Sequence, residues 1–166
     1  MLIIEDGTGV PGAESYATAA ELGIYAGKFG VAIPAEEAAQ EAVLRRAALV
    51  MDGMTWKGRK SSSDQALSWP RREIRLDGEN KPERYLPARI QYGQMALAAE
   101  IHADDIDPID KRKGAVTKEK VDGAVEREYA TISNTSKRLL PAAPDRPSAT
   151  QFADYLQRRG LFAVRA

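Results

Sequence analysis

The one constellation in the sequence that could recognise a ligand interleaves five cations, Lys57, Arg59, Lys60, Arg71 and Arg72, with two indoles, Trp56 and Trp69. Aromatic side chains offer faces on which bases stack while cations follow phosphates, so the chemistry this pattern fits is single-stranded nucleic-acid binding. Pro70 works against an open platform. It lacks an amide donor and drives Trp69 into an extended conformation, as in a packed loop. Trp56, Trp69 and Pro70 are therefore read as scaffold pinning the loop to helices. The basic side chains are left facing solvent, the acids of a neighbouring subunit, or DNA.

Other chemically capable residues lack partners at useful spacing. His102 is the single histidine, with no cysteine in the chain and no serine elbow, so neither a triad nor a thiolate metal site can form around it. Asp104, Asp105, Asp107 and Asp110 crowd one segment, but Pro108 interrupts them and the Asp-x-Asp-x-Asp-Gly order of a calcium loop is missing. Gly7-Thr8-Gly9-Val10-Pro11-Gly12 has the look of a phosphate loop without the Lys-Ser/Thr ending or the full glycine spacing. It reads as a flexible turn. No pair of carboxylates is singled out for acid–base work. The expectation is a protein with no catalytic residue, no metal and no cofactor.

A chain of 166 residues can bury about 70% of its unfolded surface, enough for a core without metal or disulfide staples. The 24 Lys and Arg balance 24 Asp and Glu, which argues against a molecule-wide footprint for nucleic acid and leaves only a local patch. Split by segment, the neutrality resolves into bands: minus six over residues 1–44, plus five over 45–75, zero over 76–99, minus five over 100–110, plus two over 111–130 and plus four over 131–166. Such bands can be ordinary solvated faces or complementary surfaces between subunits. Glu5 and Asp6 follow Met1 to Ile4 at once, unlike a secretory signal, and no apolar run nears the roughly 20 residues of a membrane span. A protein that stays in the cytosol, without a membrane partner, is expected.

Four helices are predicted to position these residues. Thr18-Ala-Ala-Glu21 has capping-box spacing and Gly30 closes the segment. Pro34 opens a second helix running to about Asp52, with Ala39, Val43, Ala47 and Val50 on one stripe. Pro87 opens a third, where Ile90, Gln94, Leu97 and Ile101 align, ending before an acidic linker. Ser148 caps a short fourth helix carrying Phe152, Tyr155 and Leu156 and closed by Gly160. Between the second and third helices, Met54 to Leu86 reads as a long Trp-containing loop with short strands near Glu73 to Leu76. Asp122-Gly123 marks a two-residue hairpin turn within residues 115–129. Neither face of that hairpin is cleanly apolar, so it stands partly in water or meets another chain. Pro141, Pro144 and Pro147 stiffen the connector that follows. The fold class is mainly α: a small bundle of about four helices with a long Trp-containing loop, one β-hairpin and an extended C-terminal arm. Residues 1–130 form the domain and 131–166 the linker and arm.

Several short elements in a fixed order carry a family resemblance. Ile3-Ile4-Glu5-Asp6-Gly7-Thr8-Gly9 runs through Pro11-Gly12-Ala13 to Ser15-Tyr16. Trp56-Lys57-Gly58-Arg59, Gln65-Ala66-Leu67-Ser68-Trp69-Pro70-Arg71, Leu86-Pro87, and Lys118-Glu119-Lys120-Val121 leading to Glu128-Tyr129 follow. Over residues 2–130 the chain resembles tailed-bacteriophage proteins labelled DnaT-like single-stranded-DNA-binding proteins, which are similar to head-tail connector (adaptor) proteins; residues 131–166 depart from the pattern. The resemblance implies a structural virion protein at the neck, the capsid–tail junction. It would form a ring of about twelve copies under the portal, touch a stopper or tail terminator below, and pass double-stranded DNA through its lumen without reading sequence. In that setting Val116, Lys118, Lys120, Val121 and Tyr129 of the hairpin, and Phe152, Tyr155, Leu156, Leu161 and Phe162 of the arm, make inter-protein contacts. The other reading under the same label is a single-stranded-DNA-binding protein of phage replication, resting on the cluster around Trp56 and Trp69.

Overall fold

The computed structural model describes residues 1–106, 116–122, 124–129 and 146–157. Within them the chain is mainly helical, as the sequence predicts. Helix α1 spans Ala19–Phe29, α2 Glu37–Asp52, α3 Ala88–Ile106 and α4 Pro147–Phe152. The strands are short: β1 Arg59–Lys60, β2 Arg71–Arg72, β3 Arg75–Leu76 and β4 Glu79–Asn80, with β5 Val116–Asp122 and β6 Ala124–Tyr129 forming the later hairpin. No helix among the described residues is long and apolar enough to cross a membrane.

Local chemistry sets the helix boundaries. At α1 the Thr18 hydroxyl accepts from the Glu21 amide at 3.1 Å and the Glu21 carboxylate accepts from the Thr18 amide at 2.7 Å, a complete capping box. Gly30 leaves the helix at φ 64°. Helix α2 begins later than Pro34, because the Gln40 side chain donates to the Pro34 carbonyl at 2.8 Å and holds residues 34–36 in a turn outside the helix. Helix α3 does begin just after Pro87 but does not stop at an acidic linker. It continues to Ile106 because its acids meet bases from other elements: Asp105 pairs with Arg46 of α2, and Asp104 meets Arg146 at 3.0 Å.

The fourth helix departs most from expectation. It ends at Phe152, well before Gly160, and Ser148 is not its N-cap. Arg146 takes that position. The Ser148 amide and hydroxyl instead donate to the Glu100 carboxylate, at 2.9 and 2.7 Å, so an acid of α3 accepts from the first turn of α4. Residues 153–157 then close onto the loop after α2. Lys57 N donates to Tyr155 O, and Gln157 N to Thr55 O, both at 2.9 Å. The segment read as an arm for partners is, at residues 146–157, part of this chain's own core.

That core centres on four rings. Trp56 packs edge-on against Trp69 (centroids 5.6 Å apart) and against Phe152 (5.2 Å), and Trp69 packs edge-on against Tyr155 (5.6 Å). Each such pair is worth about 0.5–1.5 kcal/mol beyond the area it buries. The Trp56 indole N–H donates to the Met51 carbonyl at 2.8 Å, which ties the cluster to the end of α2. Gly93 of α3 makes room for Phe152: a Cβ there would lie 2.1 Å from the ring.

A polar tie runs alongside. Gln94 is wholly buried in the stripe of α3, donating to Ser15 Oγ at 2.9 Å and to Leu44 O at 3.0 Å while accepting from Tyr16 N at 2.8 Å. One amide thereby joins α3, α2 and the N-terminal segment.

The loop between α2 and α3 contains two small sheets. Strand β1 pairs antiparallel with β2, and β3 with β4. The second hairpin turns on Asp77 and Gly78, both at positive φ (53° and 85°), as a type I′ turn demands. Asp-Gly is the usual sequence for that turn, and Asp77-Gly78 carries the same signal as Asp122-Gly123. In the β5–β6 hairpin Val121 lies opposite Val125 and Asp122 opposite Ala124, offset by one from the pairing of a two-residue turn, with an irregularity between Val116 and Lys118.

Gly93→Ala tests the ring seating. In an open helix the change gains about 1 kcal/mol of helix propensity. Here overpacking against Phe152 should outweigh it, with a net loss of about 1–3 kcal/mol, read as a lower urea midpoint at unchanged m value. A raised midpoint would show that the ring is not held against α3.

Candidate nucleic-acid interface

Strands β1 and β2 consist wholly of cations. Arg59 lies opposite Arg72 and Lys60 opposite Arg71, a register that sets like charges directly across from one another. Successive residues of a strand point to opposite faces, so Arg59 and Arg72 share one face, Lys60 and Arg71 the other. Gly58 permits the pairing. It sits at φ 69°, and a Cβ there would lie 2.3 Å from the Arg72 carbonyl oxygen. Beyond β2, Tyr85 exchanges both backbone hydrogen bonds with Arg71 (3.1 and 2.9 Å), so Lys60, Arg71 and Tyr85 lie abreast.

The five cations divide by role. Arg71 is half-buried and its guanidinium is spent on the backbone, donating to the carbonyls of Lys57 (2.7 Å), Ser68 (3.0 Å) and Gly58 (2.8 Å). Burial lowers its pKa from the ordinary arginine value, though not far enough to discharge it. Lys57 donates through Nζ to Asp154 O at 2.7 Å. Arg59, Lys60 and Arg72 are exposed. Arg59 meets Glu73 at 3.2 Å, with 74% and 58% of the two side chains exposed, so the pair is weak. Among the described residues Lys60 reaches only the Ala66 carbonyl, at 3.5 Å.

The indoles are not platforms. Trp56 is 4% exposed and Trp69 0%, and the peptide bond from Trp69 to Pro70 is cis. Gln65 holds the loop beneath them, donating to Leu67 O and Pro70 O, and the Tyr16 hydroxyl accepts from Trp69 N at 3.0 Å. Burial pushes the Tyr16 phenol well above its usual range, so it stays protonated.

Among the residues read as inter-protein contacts, Phe152 and Tyr155 are buried in the intrachain core, and Leu156 is partly buried beside it in a bridge to Trp56. Their rings and side chains fill space between α3 and the tryptophans, which corrects the expectation that they face a partner. Leu161 and Phe162 lie outside the described residues, as do the side chains of Val116, Lys118, Lys120, Val121 and Tyr129. The charge bands likewise close within the chain: Arg45 pairs with Glu14 and Glu41, Arg46 with Asp105, and Arg146 with Asp104. The glycine loop proves already filled. Buried Glu5 accepts from the amides of Gly7 (2.8 Å), Gly9 (2.9 Å) and Val10 (2.8 Å), so a side chain of the loop itself takes the place a phosphate would occupy. Among the described residues no group of three His, Asp or Glu side chains could hold a metal ion.

Sequence reasoning missed Tyr85 as a flank of the basic strands. It pairs as a lone bridge residue, which leaves no alternating pattern to find.

The division of roles is measurable. Arg71→Ala strips three carbonyls of a charged donor and should cost about 2 kcal/mol or more. Arg72→Ala, at an exposed site, should stay within about 0.5 kcal/mol. Equal losses of thermal stability in the two variants would contradict the assignment.

Two comparisons with known proteins find nothing: no curated protein and no solved structure matches the chain. A third does. A family model described as "Putative DnaT-like ssDNA binding protein" matches residues 1–165, including the segment after residue 130 that departed from the resemblance. That description overturns the head-tail adaptor reading, with its virion ring of about twelve copies, its portal and tail partners and its double-stranded DNA lumen, and backs the single-stranded-DNA alternative. The chain belongs to the DnaT-like single-stranded-DNA-binding family.

Proposed function

We propose that the protein binds single-stranded DNA through its phosphates, which cross Arg59 and Arg72 on one face of the β1–β2 ladder and turn over the β1 edge to Lys60 on the other, acting as a binding protein rather than an enzyme. The observation that carries this is the ladder itself: four cations paired with one another across two strands, three of them exposed, with Glu73 as their one acidic neighbour in an ion pair among the described residues. Like charges held opposite one another repel, and an anion laid across them relieves the repulsion. The family description supports single strands as the source of that anion.

Recognition on this reading is electrostatic and tolerant of sequence. The buried tryptophans do not stack on bases. They hold the loop from which the ladder projects, which separates this account from one based on indole platforms.

Anisotropy titration of a labelled oligothymidylate over a range of salt concentrations tests the proposal. If three phosphates are neutralised, the triple variant Arg59→Ala, Lys60→Ala, Arg72→Ala should bind at least tenfold more weakly at low salt. Its log–log salt slope should be shallower by about 2, at roughly 0.7 per phosphate. Wild-type tryptophan emission should hold steady at saturation. Unchanged affinity and slope in the variant would overturn the assignment.

A further inference from the structure

Next to the ladder, on the Tyr85 side, lies a polar groove of about 280 Å³. Its cations are Lys57, Arg75, Lys81 and Arg89; its acids are Asp77 and Asp154. The lining thus carries an excess of two positive charges. Lys81 also meets Glu79 at 3.1 Å, but that carboxylate is 77% exposed, too well solvated to cancel much of the excess. Arg89 is oriented by Asp154 at 2.6 Å. Arg75 donates through Nε to Gly78 O at 3.1 Å, and its two terminal nitrogens bond to nothing else among the described residues. Tyr85 and Tyr155 line the same groove. Burial and the neighbouring Tyr85 push the Tyr155 phenol up to about 12, so it remains a neutral donor near pH 7.

Two further features mark the groove as more than a surface dent. Tyr85, bridged to Arg71 of β2, lines it, and so does Lys57, two residues before β1, so the groove adjoins the ladder. Flanking its lining residues, Arg84 beside Tyr85 holds φ 58° and Glu73 before β3 holds φ 59°, both left-handed conformations that are unfavourable for a non-glycine residue. Asp77 shares that conformation but owes it to its hairpin turn. The volume falls just under the roughly 300 Å³ at which small-ligand sites begin, room for one nucleotide unit and not for a run of stacked bases.

We infer that this groove receives the terminal phosphate monoester of a DNA strand whose internal phosphates lie on the ladder. An internal phosphodiester carries one negative charge, whereas a terminal monoester carries about −1.5 to −2 near pH 7. The monoester matches the twofold excess of the lining, and Arg75 supplies a forked donor for two of its oxygens. The assignment rests on the strand-binding reading above and adds an end preference to it.

The test uses the full chain and three oligothymidylates of one length, ending in a 5′-phosphate, a 3′-phosphate or hydroxyls only. A phosphate at one end should tighten binding fivefold or more. The gain should vanish in Arg75→Ala with Lys81→Ala, whose fold is checked by its melting curve, while affinity for the hydroxyl-ended strand changes less than twofold. No gain at either end, or a gain that survives in the variant, overturns the inference. A loss of all strand binding in wild-type protein would instead sink the proposed function. In that event thymidine monophosphate decides the groove on its own: it should shift amide resonances of residues 75–85 where thymidine does not, and equal shifts from both would overturn the phosphate site.

Discussion

Everything in this small domain leans on the seating of Phe152 between Gly93 and Trp56. That ring brings a segment near the C-terminus onto the middle of α3, and with Tyr155 it completes the aromatic cluster around Trp56 and Trp69. Both strands of the ladder follow directly from the cluster: β1 begins three residues after Trp56 and β2 two residues after Trp69. Two-stranded ribbons of two residues each are not stable in water on their own. The ladder persists because buried indoles anchor each strand and the Arg71 guanidinium gathers three carbonyls between them. Strengthening one part of this arrangement therefore stiffens the site.

Electrostatics divides along the same line. Acids and bases that sit far apart in sequence meet across helices, as Arg46 with Asp105 and Arg146 with Asp104 do, and this spends part of the alternating charge inside the chain. The cations of β1 and β2 are different. Antiparallel pairing places them against one another, and among the described residues only Arg59 has an acid within ion-pair reach. A protein with no net charge thus keeps a local positive patch, which is what phosphate binding needs. Glu5 shows the opposite case. Its own carboxylate satisfies the amides of Gly7, Gly9 and Val10, so a loop that looks built for phosphate has no vacancy for one.

Helices α1 and α3 were legible because their signals are local: a Thr18–Glu21 box needs only four residues, and Pro87 acts on the turn beside it. Length also told of a chain with its own core. Pro34 misled by three residues, since a side chain six positions away, Gln40, decided where α2 starts. The end of α3 was misplaced for a related reason. Consecutive acids read as a solvated linker until Arg46 and Arg146 are seen to neutralise them. The cluster at 56–72 was visible as a set, yet its members could not be sorted, because Trp, Lys and Arg in a loop give no period from which to read which side is buried.

By itself, the sequence determined that there are four helices and roughly where they lie, the presence of a basic segment with two indoles, and the lack of cysteine and of a second histidine. Those are properties of residue type and near-neighbour spacing. Only the tertiary structure decided that the tryptophans are buried, that Arg71 serves the backbone while adjacent Arg72 faces water, and that Phe152 and Tyr155 belong to this chain's core. Each of those outcomes depends on groups brought together from tens of residues away. No local pattern encodes whether an aromatic ring finds its partner on its own chain or on another.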